Sequence, residues 1–185
     1  MNQSASVVYQ LISFLMQYPT HQSLDVLPEI EQEIESINDQ QVRGNLNQFI
    51  QMIKRNSLDE WIDHYVEYFD FGKVTNLYVT YLKLGEQRER GLELLKLKKF
   101  YDEAGYSVTD KELTDYLPLM LEFCANVSIE KSVELLQMYV KAIQEIREKL
   151  DELNSYYVLL FDALLAHLNN NGITPEKANT AVPNS

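Results

Sequence analysis

Residues 132–150 read SVELLQMYVKAIQEIREKL, and this stretch decides the fold class. Apolar side chains recur in it every three or four residues, along a face formed by Val133, Leu136, Val140, Ile143 and Leu150. Such spacing places one apolar stripe on an α-helix, whereas a half-buried strand would alternate apolar and polar residues. The stretch therefore predicts a long amphipathic helix, which Ser128 can cap at its N-terminus.

The same helical period continues outward in both directions along the chain. Four further apolar stripes consist of Val8, Leu11, Ile12 and Leu15; Leu27, Ile30, Ile34 and Ile37; Leu46, Phe49, Ile50 and Ile53; and Tyr156, Leu160, Ala163, Leu164 and Leu168. Only 6 glycines and 5 prolines interrupt the 185 residues. We therefore expect an all-α protein with a single domain of about eight helices over residues 1–170 and a flexible polar tail over 171–185.

Two boundary signals mark a helix in the first half of the chain. Ser57 followed by Glu60 is a capping-box pattern, in which the hydroxyl and the carboxylate each accept from an otherwise unpaired backbone N–H. The helix that begins there is predicted to run to about Phe69. The first stripe, in contrast, should end before Pro19, because proline disfavours helix in the residue before it.

Two more helix ends are predicted in the middle of the chain. The charged run at residues 86–90 opens a helix toward Ala104, and Gly105 fits the left-handed position that ends it. Asp115 is predicted to cap the next helix, with Pro118 in its first turn, where a missing N–H costs little.

The charge of the chain limits its partners. The formal net charge is -12, which disfavours nucleic acid and anionic membrane, since both bind through phosphate neutralisation by Lys and Arg. The charge is uneven: residues 71–111 carry 8 basic and 6 acidic groups, while both flanks are strongly acidic.

No apolar run reaches the roughly 20 residues that a membrane span needs, and the N-terminus lacks the basic start of a signal peptide. We expect a cytoplasmic protein without membrane insertion.

The sequence lacks the common catalytic and metal-binding patterns. There is no phosphate-binding glycine loop, and none of His21, His64 and His167 follows a glutamate by the three residues of a di-iron motif. Cys124 lies in an apolar helix, where a free cysteine is commonly a small buried hydrophobe. We therefore expect a binding protein, with no catalytic residues and no bound metal.

Acidic and aromatic side chains remain as candidates for binding. Asp59, Asp63 and Glu67 recur every four residues, which suits either a solvated helix face or a grip on a cation or basic peptide. His64 lies between them and fits a partly exposed helix face. The chain also contains 12 tyrosines, a residue type that joins an apolar ring to a polar tip. Most should pack at the edge of the core, and a few could line a groove.

Four motifs in the middle of the chain carry a resemblance to a known family. They are Tyr68-Phe-Asp-Phe-Gly72, Leu77-Tyr-Val-Thr-Tyr81, Gly85-Glu-Gln-Arg-Glu-Arg-Gly91 and Glu112-Leu-Thr-Asp-Tyr-Leu-Pro-Leu-Met-Leu-Glu-Phe123. In order and spacing they closely resemble the NarJ family of nitrate reductase assembly chaperones, part of the TorD-like group of redox-enzyme maturation proteins. One departure is Thr114, where the family usually has proline; we expect it to loosen the helix entry and to leave Asp115 as the cap.

The resemblance implies a TorD-like helical chaperone that binds the apo catalytic subunit of a respiratory nitrate reductase. Family members recognise an N-terminal segment of that molybdenum-containing subunit and keep it competent for insertion of molybdopterin guanine dinucleotide before membrane docking. No permanently bound cofactor is expected in the chaperone itself. Molybdenum cofactor biosynthesis proteins are further expected partners. Two alternatives stay open: a protein that itself binds or delivers the pterin nucleotide, and a helical scaffold unconnected with molybdenum.

Within the motifs we assign two sets of residues. The expected groove for the partner peptide consists of Tyr78, Tyr81, Asp115, Tyr116 and Glu122. The expected architectural residues are Gly85, Arg88, Arg90, Gly91 and Pro118, and the two arginines should pair with acidic helices rather than contact the partner.

Overall fold

The computed structural model describes residues 3–71, 74–81, 88–109 and 111–176. Within these ranges the chain forms nine α-helices: α1 Gln3–Leu15, α2 His21–Asp25, α3 Leu27–Glu35, α4 Gln40–Lys54, α5 Leu58–Tyr65, α6 Arg88–Glu103, α7 Leu117–Asn126, α8 Ile129–Glu152 and α9 Val158–Asn170. The all-α prediction is confirmed. The short α2 is the additional helix, and a capping box between Thr20 and Ser23 begins it.

The predicted apolar stripes build one core. α1 packs most extensively against α7, and α9 lies between α4 and α8. Each of the five predicted stripes contributes fully buried side chains, for example Ile12, Ile34, Phe49, Ile143 and Leu160. Burial of these faces supplies the apolar driving force that helices of this length need, because isolated helices are marginal in water.

Three predicted helix ends are confirmed. Ser57 and Glu60 form the complete capping box at the start of α5. The Ser128 side chain accepts from the backbone N–H of Lys131 at the start of α8. Gly105 follows α6 with a φ of 86°, the left-handed region where a side chain would be strained.

The helix that begins at Ser57 changes character before it ends. After α5 the segment Val66–Asp70 continues as one wider π-helical turn, and the Phe71 N–H donates to the Val66 carbonyl at 3.1 Å. π-helical turns are rare in proteins, and those that occur often lie at functional sites. Gly72 and Lys73, which follow, lie outside the described residues.

The predicted cap of α7 is corrected by the structure. The N-cap residue is Tyr116, not Asp115, and no side chain caps this helix. The Leu117 N–H donates instead to the Leu77 carbonyl at 2.8 Å, and Pro118 has no N–H to satisfy. The helix start is thus satisfied without a carboxylate, and the Asp115 side chain is free to bond elsewhere.

The packed chain extends slightly past the predicted boundary at residue 170. Ile173 is buried, and Gln137 Nε2 donates to the Thr174 carbonyl at 2.8 Å. Residues 177–185 of the predicted tail lie outside the described residues. None of the described helices is long and apolar enough to cross a membrane.

Candidate functional site

A short segment of turns, residues 74–81, is joined to the start of α7. Tyr78 and Tyr116 form an isolated antiparallel bridge. Around it, the Val79 N–H donates to the Asp115 carbonyl at 3.0 Å, and the Leu117 N–H donates to the Leu77 carbonyl. The second and fourth motifs of the sequence are therefore joined backbone to backbone, and their tyrosines lie side by side.

Asp115 forms a buried ion pair with Arg90 beneath this bridge. The Asp115 side chain is 0% exposed and that of Arg90 13%. Arg90 Nη2 lies 3.1 Å from Asp115 Oδ2 and 3.3 Å from Oδ1. Thr80 completes the cluster, because its hydroxyl donates to Asp115 Oδ2 at 2.5 Å and accepts from Arg90 Nε at 3.1 Å. Each charged group thus has several partners, as buried charges require.

The rings of Tyr78 and Tyr81 cover this ion pair. The Arg90 guanidinium carbon lies 5.7 Å from the Tyr78 ring centre and 5.4 Å from that of Tyr81, within the range of cation–π attraction. The Tyr78 hydroxyl donates to Glu112 Oε1 at 2.7 Å. Burial, followed by this hydrogen bond to a carboxylate, raises the pKa of Tyr78, so the hydroxyl remains a donor at physiological pH.

Tyr116 connects the cluster to α5. Its ring centre is 5.4 Å from that of Tyr78, and its hydroxyl is 3.4 Å from the Tyr65 hydroxyl. Burial raises the pKa of Tyr116. Tyr78, Tyr81 and Tyr116 are all half-buried, so each presents part of its ring to solvent. This set of three rings, which we call the tyrosine face, can contact a partner.

The structure separates the predicted groove residues into three positions. The tyrosine face contains three of them, whereas Asp115 lies fully inside the fold and does not line an open surface. Glu122 is exposed and lies in a different place, a cleft of about 310 Å³ that is also lined by Tyr106, Leu119 and Phe123. The five residues therefore do not form one continuous wall.

A second, larger cleft lies between α6 and residues 108–109 and 111–114. Its volume is about 450 Å³, and Leu94, Leu95, Val108 and Leu113 supply its apolar lining. We call it the α6 cleft. Val108 and Thr109 line both clefts, so the two openings flank one stretch of chain. The sequence did not predict the α6 cleft. The structure shows that two leucines of α6, Leu92 and Leu95, are 54% and 63% exposed, which the sequence alone does not reveal.

The predicted architectural residues also differ from one another. Arg90 forms its ion pair with Asp115, which precedes α7, and not with an acidic helix as expected. Arg88 is exposed and forms no ion pair with another described residue. Pro118 is buried in the first turn of α7. Gly85 lies outside the described residues, and a Cβ at Gly91 would meet no atom within 4 Å.

Two residues of the site were missed by sequence reasoning. Thr80 bonds both members of the ion pair, and Glu112 accepts from Tyr78. Both lie inside the quoted motifs, but Thr80 is 10 residues from Arg90 and 35 from Asp115, and Glu112 is 34 residues from Tyr78. Neither contact has a local sequence pattern that would reveal it.

Two other titratable groups considered in the sequence, His64 and Cys124, are held within the fold. His64 stacks on Tyr156 at 3.8 Å between ring centres and bonds Ser155 Oγ at 2.9 Å, and burial lowers its pKa to about 4. Burial raises the pKa of the Cys124 thiol to about 12, so it stays protonated. Over the described ranges, no group of three His, Cys, Asp or Glu side chains is arranged to hold a metal ion.

Comparison with known proteins relates this arrangement to one family. The family model described as the nitrate reductase delta subunit matches residues 36–163. A Bacillus subtilis (strain 168) protein named "Probable nitrate reductase molybdenum cofactor assembly chaperone NarJ" is 42% identical over 90% of this chain and 91% of its own length. An Escherichia coli (strain K12) protein named as a nitrate reductase molybdenum cofactor assembly chaperone, NarJ, is 34% identical over 61% of this chain and 48% of its own.

A solved structure has the same fold. It is the crystal structure of a candidate redox enzyme maturation protein from Archaeoglobus fulgidus, and it covers 91% of this chain and 94% of its own. The TM-score is 0.64 at 18% sequence identity, which establishes a common TorD-like architecture. The family match extends over residues 36–163, which include the ion pair and all three rings of the tyrosine face. The protein belongs to the NarJ family, the nitrate reductase delta subunits.

Proposed function

We propose that this protein is an assembly chaperone of a nitrate reductase, acting on its catalytic, molybdenum-containing subunit. It binds the N-terminal segment of the apo-subunit in the cytoplasm and keeps that subunit competent for cofactor insertion before membrane docking. The observation that carries the proposal is the 42% identity to an assembly chaperone over 90% of the chain. The similarity extends over nearly the whole chain, and the family match over residues 36–163 includes the tyrosine face and both clefts.

The tyrosine face is the proposed contact for apolar side chains of the partner segment. Its three rings are half-buried, so binding covers apolar area without first unfolding anything. Glu122, in the neighbouring cleft with Tyr106 and Phe123, supplies a carboxylate for a basic residue of the same segment. The proposed recognition therefore combines aromatic contact with charge at two separate positions.

Asp115 has an indirect role in this proposal. It is buried with Arg90 and Thr80, and Arg90 lies under the rings of Tyr78 and Tyr81. The ion pair thus holds the tyrosine face in position and does not touch the partner. Arg90 acts in the same way, as a positioning residue.

The molybdopterin guanine dinucleotide is cargo of the partner subunit in this proposal. The chain delivers no electrons to it and catalyses no step; it holds the protein that receives it. Molybdenum cofactor biosynthesis proteins are the proposed further partners, because they must approach the held subunit. Calorimetry with the isolated cofactor separates this proposal from a cofactor carrier, for which saturable tight binding without the reductase is expected.

A deletion experiment in cells tests the proposed function. Without this protein, the catalytic subunit should be synthesised but should lack its molybdenum cofactor, and nitrate reductase activity should be lost. Re-expression of the chain should restore both cofactor content and activity. Fully loaded, active reductase in the deletion strain would show that the chain has another function.

Two variants with the same change in charge test whether the cleft that contains Glu122 is needed for the proposed function. Glu122→Lys and Glu148→Lys both replace an exposed glutamate by lysine; Glu122 lines the cleft of about 310 Å³, whereas Glu148 lines neither of the two clefts described above. Restoration should be impaired by Glu122→Lys and unaffected by Glu148→Lys. Equal restoration by the two variants would remove Glu122 from the proposed contact.

A further inference from the structure

The α6 cleft has features that the proposed function does not use. α6 is 16 residues long, yet only Leu97 and Tyr101 are buried in it. Leu92 and Leu95 on α6 and Leu113 opposite are 54%, 63% and 43% exposed. A helix normally buries its apolar stripe against the core, so exposed leucines around a cleft mark a surface for a partner.

The cleft-lining residues of α6 share one face of the helix. Gly91, Leu94, Leu95 and Lys98 have the spacing i, i+3, i+4 and i+7. The face therefore runs from a position without a side chain, across two leucines, to a lysine. Because a Cβ at Gly91 would meet nothing within 4 Å, glycine is not required there by contacts within the described fold. It leaves room for the close approach of a partner backbone.

Positive charge borders this apolar lining. Lys98 and Lys111 both line the cleft and are exposed, and neither forms an ion pair within the described part of the chain. Lys96 and Lys99 on α6, in contrast, are paired with Glu93 and Glu103. The two ammonium groups lie in a protein of net charge -12, in the region with 8 basic and 6 acidic residues. Glu112 also lines the cleft, but its carboxylate accepts hydrogen bonds from the Tyr78 hydroxyl and the Leu113 N–H. The two lysines therefore favour a partner of negative charge.

From these observations we infer that the α6 cleft is a second docking site, which binds an amphipathic helical segment carrying acidic residues beside its apolar face. The apolar face packs on Leu94, Leu95 and Leu113, its backbone approaches Gly91, and its carboxylates meet Lys98 and Lys111. This chemistry is opposite to that proposed for Glu122, which suits a basic residue. The inference stands apart from the proposed function, because either site can fail without the other.

Binding of a synthetic peptide tests the inference on the purified full chain. The probe is an amphipathic helix with leucine on one face and glutamate on the other, and its twin has lysine in place of every glutamate. Fluorescence polarisation should show saturable binding of the acidic peptide that weakens with added salt. The lysine twin should bind much more weakly. Equal binding of the twins would overturn the inference.

Matched variants locate the binding. Lys98→Glu should weaken the acidic peptide, while Lys99→Glu, with the same charge change on the same helix but outside the cleft, should have little effect. Leu95→Ser should weaken binding of the acidic peptide by about tenfold. Leu153→Ser, at a leucine elsewhere that is 47% exposed, should leave the binding unchanged. Gly91→Leu should block the cleft while leaving the helical circular dichroism unchanged. Equal effects of target and control would contradict the site.

A second copy of the chain is the competing occupant. Light scattering on the same variants distinguishes it, because the inferred site requires that Leu95→Ser leave the oligomeric state unchanged. A dimer of the wild-type chain that dissociates in Leu95→Ser would show that the cleft is a self-interface and would overturn the inference.

Discussion

Arg90 reaches Asp115 across the gap between α6 and the start of α7, with 3.1 Å between Nη2 and Oδ2, and the carboxylate is fully buried. This one contact joins two motifs of the family pattern and supports the rings of the tyrosine face. It therefore connects the stability of the fold with the surface proposed to bind the partner.

Removal of the carboxylate should destabilise the protein strongly. Asp115→Ala leaves the Arg90 guanidinium buried without its charge partner, which costs about 3–5 kcal/mol. Urea unfolding measures the change. Lys99→Ala breaks an exposed pair with Glu103, whose side chains are 78% and 58% exposed, and should change stability little.

The double variant completes that test. When Arg90→Ala and Asp115→Ala are combined, the loss should be smaller than the sum of the two single losses, because neither charge is then left alone in the core. Strict additivity would mean that the two groups do not stabilise each other.

A buried hydrogen bond between Trp61 and Tyr157 gives a second prediction. Trp61 Nε1 donates to the Tyr157 hydroxyl at 2.9 Å, and both side chains are almost completely buried. Tyr157→Phe leaves the indole N–H without an acceptor and should cost about 1–3 kcal/mol in thermal or urea unfolding. Tyr106→Phe removes a hydroxyl that donates to the Asn126 carbonyl at an exposed position, and its effect should be clearly smaller.

The buried His167 makes stability depend on pH. Burial lowers its pKa to about 4, whereas the unfolded chain binds the proton at about 6.5. The unfolded state therefore holds more protons between these values, so stability is full above about pH 6.5 and falls as the pH decreases toward 4. The contribution is on the order of 3 kcal/mol.

Replacement of this histidine should flatten the pH profile. Urea unfolding of His167→Gln between pH 6.5 and 4.5 should show a smaller loss than in the wild type, and the exposed His21→Gln serves as the control. An unchanged slope in His167→Gln would mean that other groups cause the acid sensitivity.

Two glycines inside helices offer a test of what the motif glycine does. Neither Gly91 in α6 nor Gly44 in α4 has an atom within 4 Å of the position of a Cβ. Alanine at each position should stabilise the protein by about 0.5–1 kcal/mol, since glycine is a poor helix former. A loss of stability in Gly91→Ala alone would show that the fold itself requires this glycine.

The sequence predicted the helical fold well because helix formation leaves local signals. Each of these signals extends over only a few neighbouring residues. Examples are the apolar stripe that includes Ile143, the capping box at Ser57 and the left-handed Gly105. The π-helical turn at Val66–Asp70 was not predicted, because its apolar spacing resembles that of an ordinary helix over so short a length.

The site was less predictable because its contacts are long-range. Asp115 has the sequence context of a helix cap, and only the approach of Thr80 and Arg90 shows where its carboxylate bonds. The tyrosines were found as a set from composition, but the separation of Glu122 from them depends on which faces of α7 are covered. The α6 cleft is formed by residues from two separate parts of the chain, α6 on one side and residues 108–109 and 111–114 on the other.

The most direct test of the central claim is calorimetric titration of the purified chain with a peptide from the N-terminal segment of the catalytic subunit of nitrate reductase. We predict saturable binding that a scrambled peptide does not show and that Glu122→Lys weakens. The contradicting result is the absence of saturable binding to a folded chain that still restores cofactor insertion in cells.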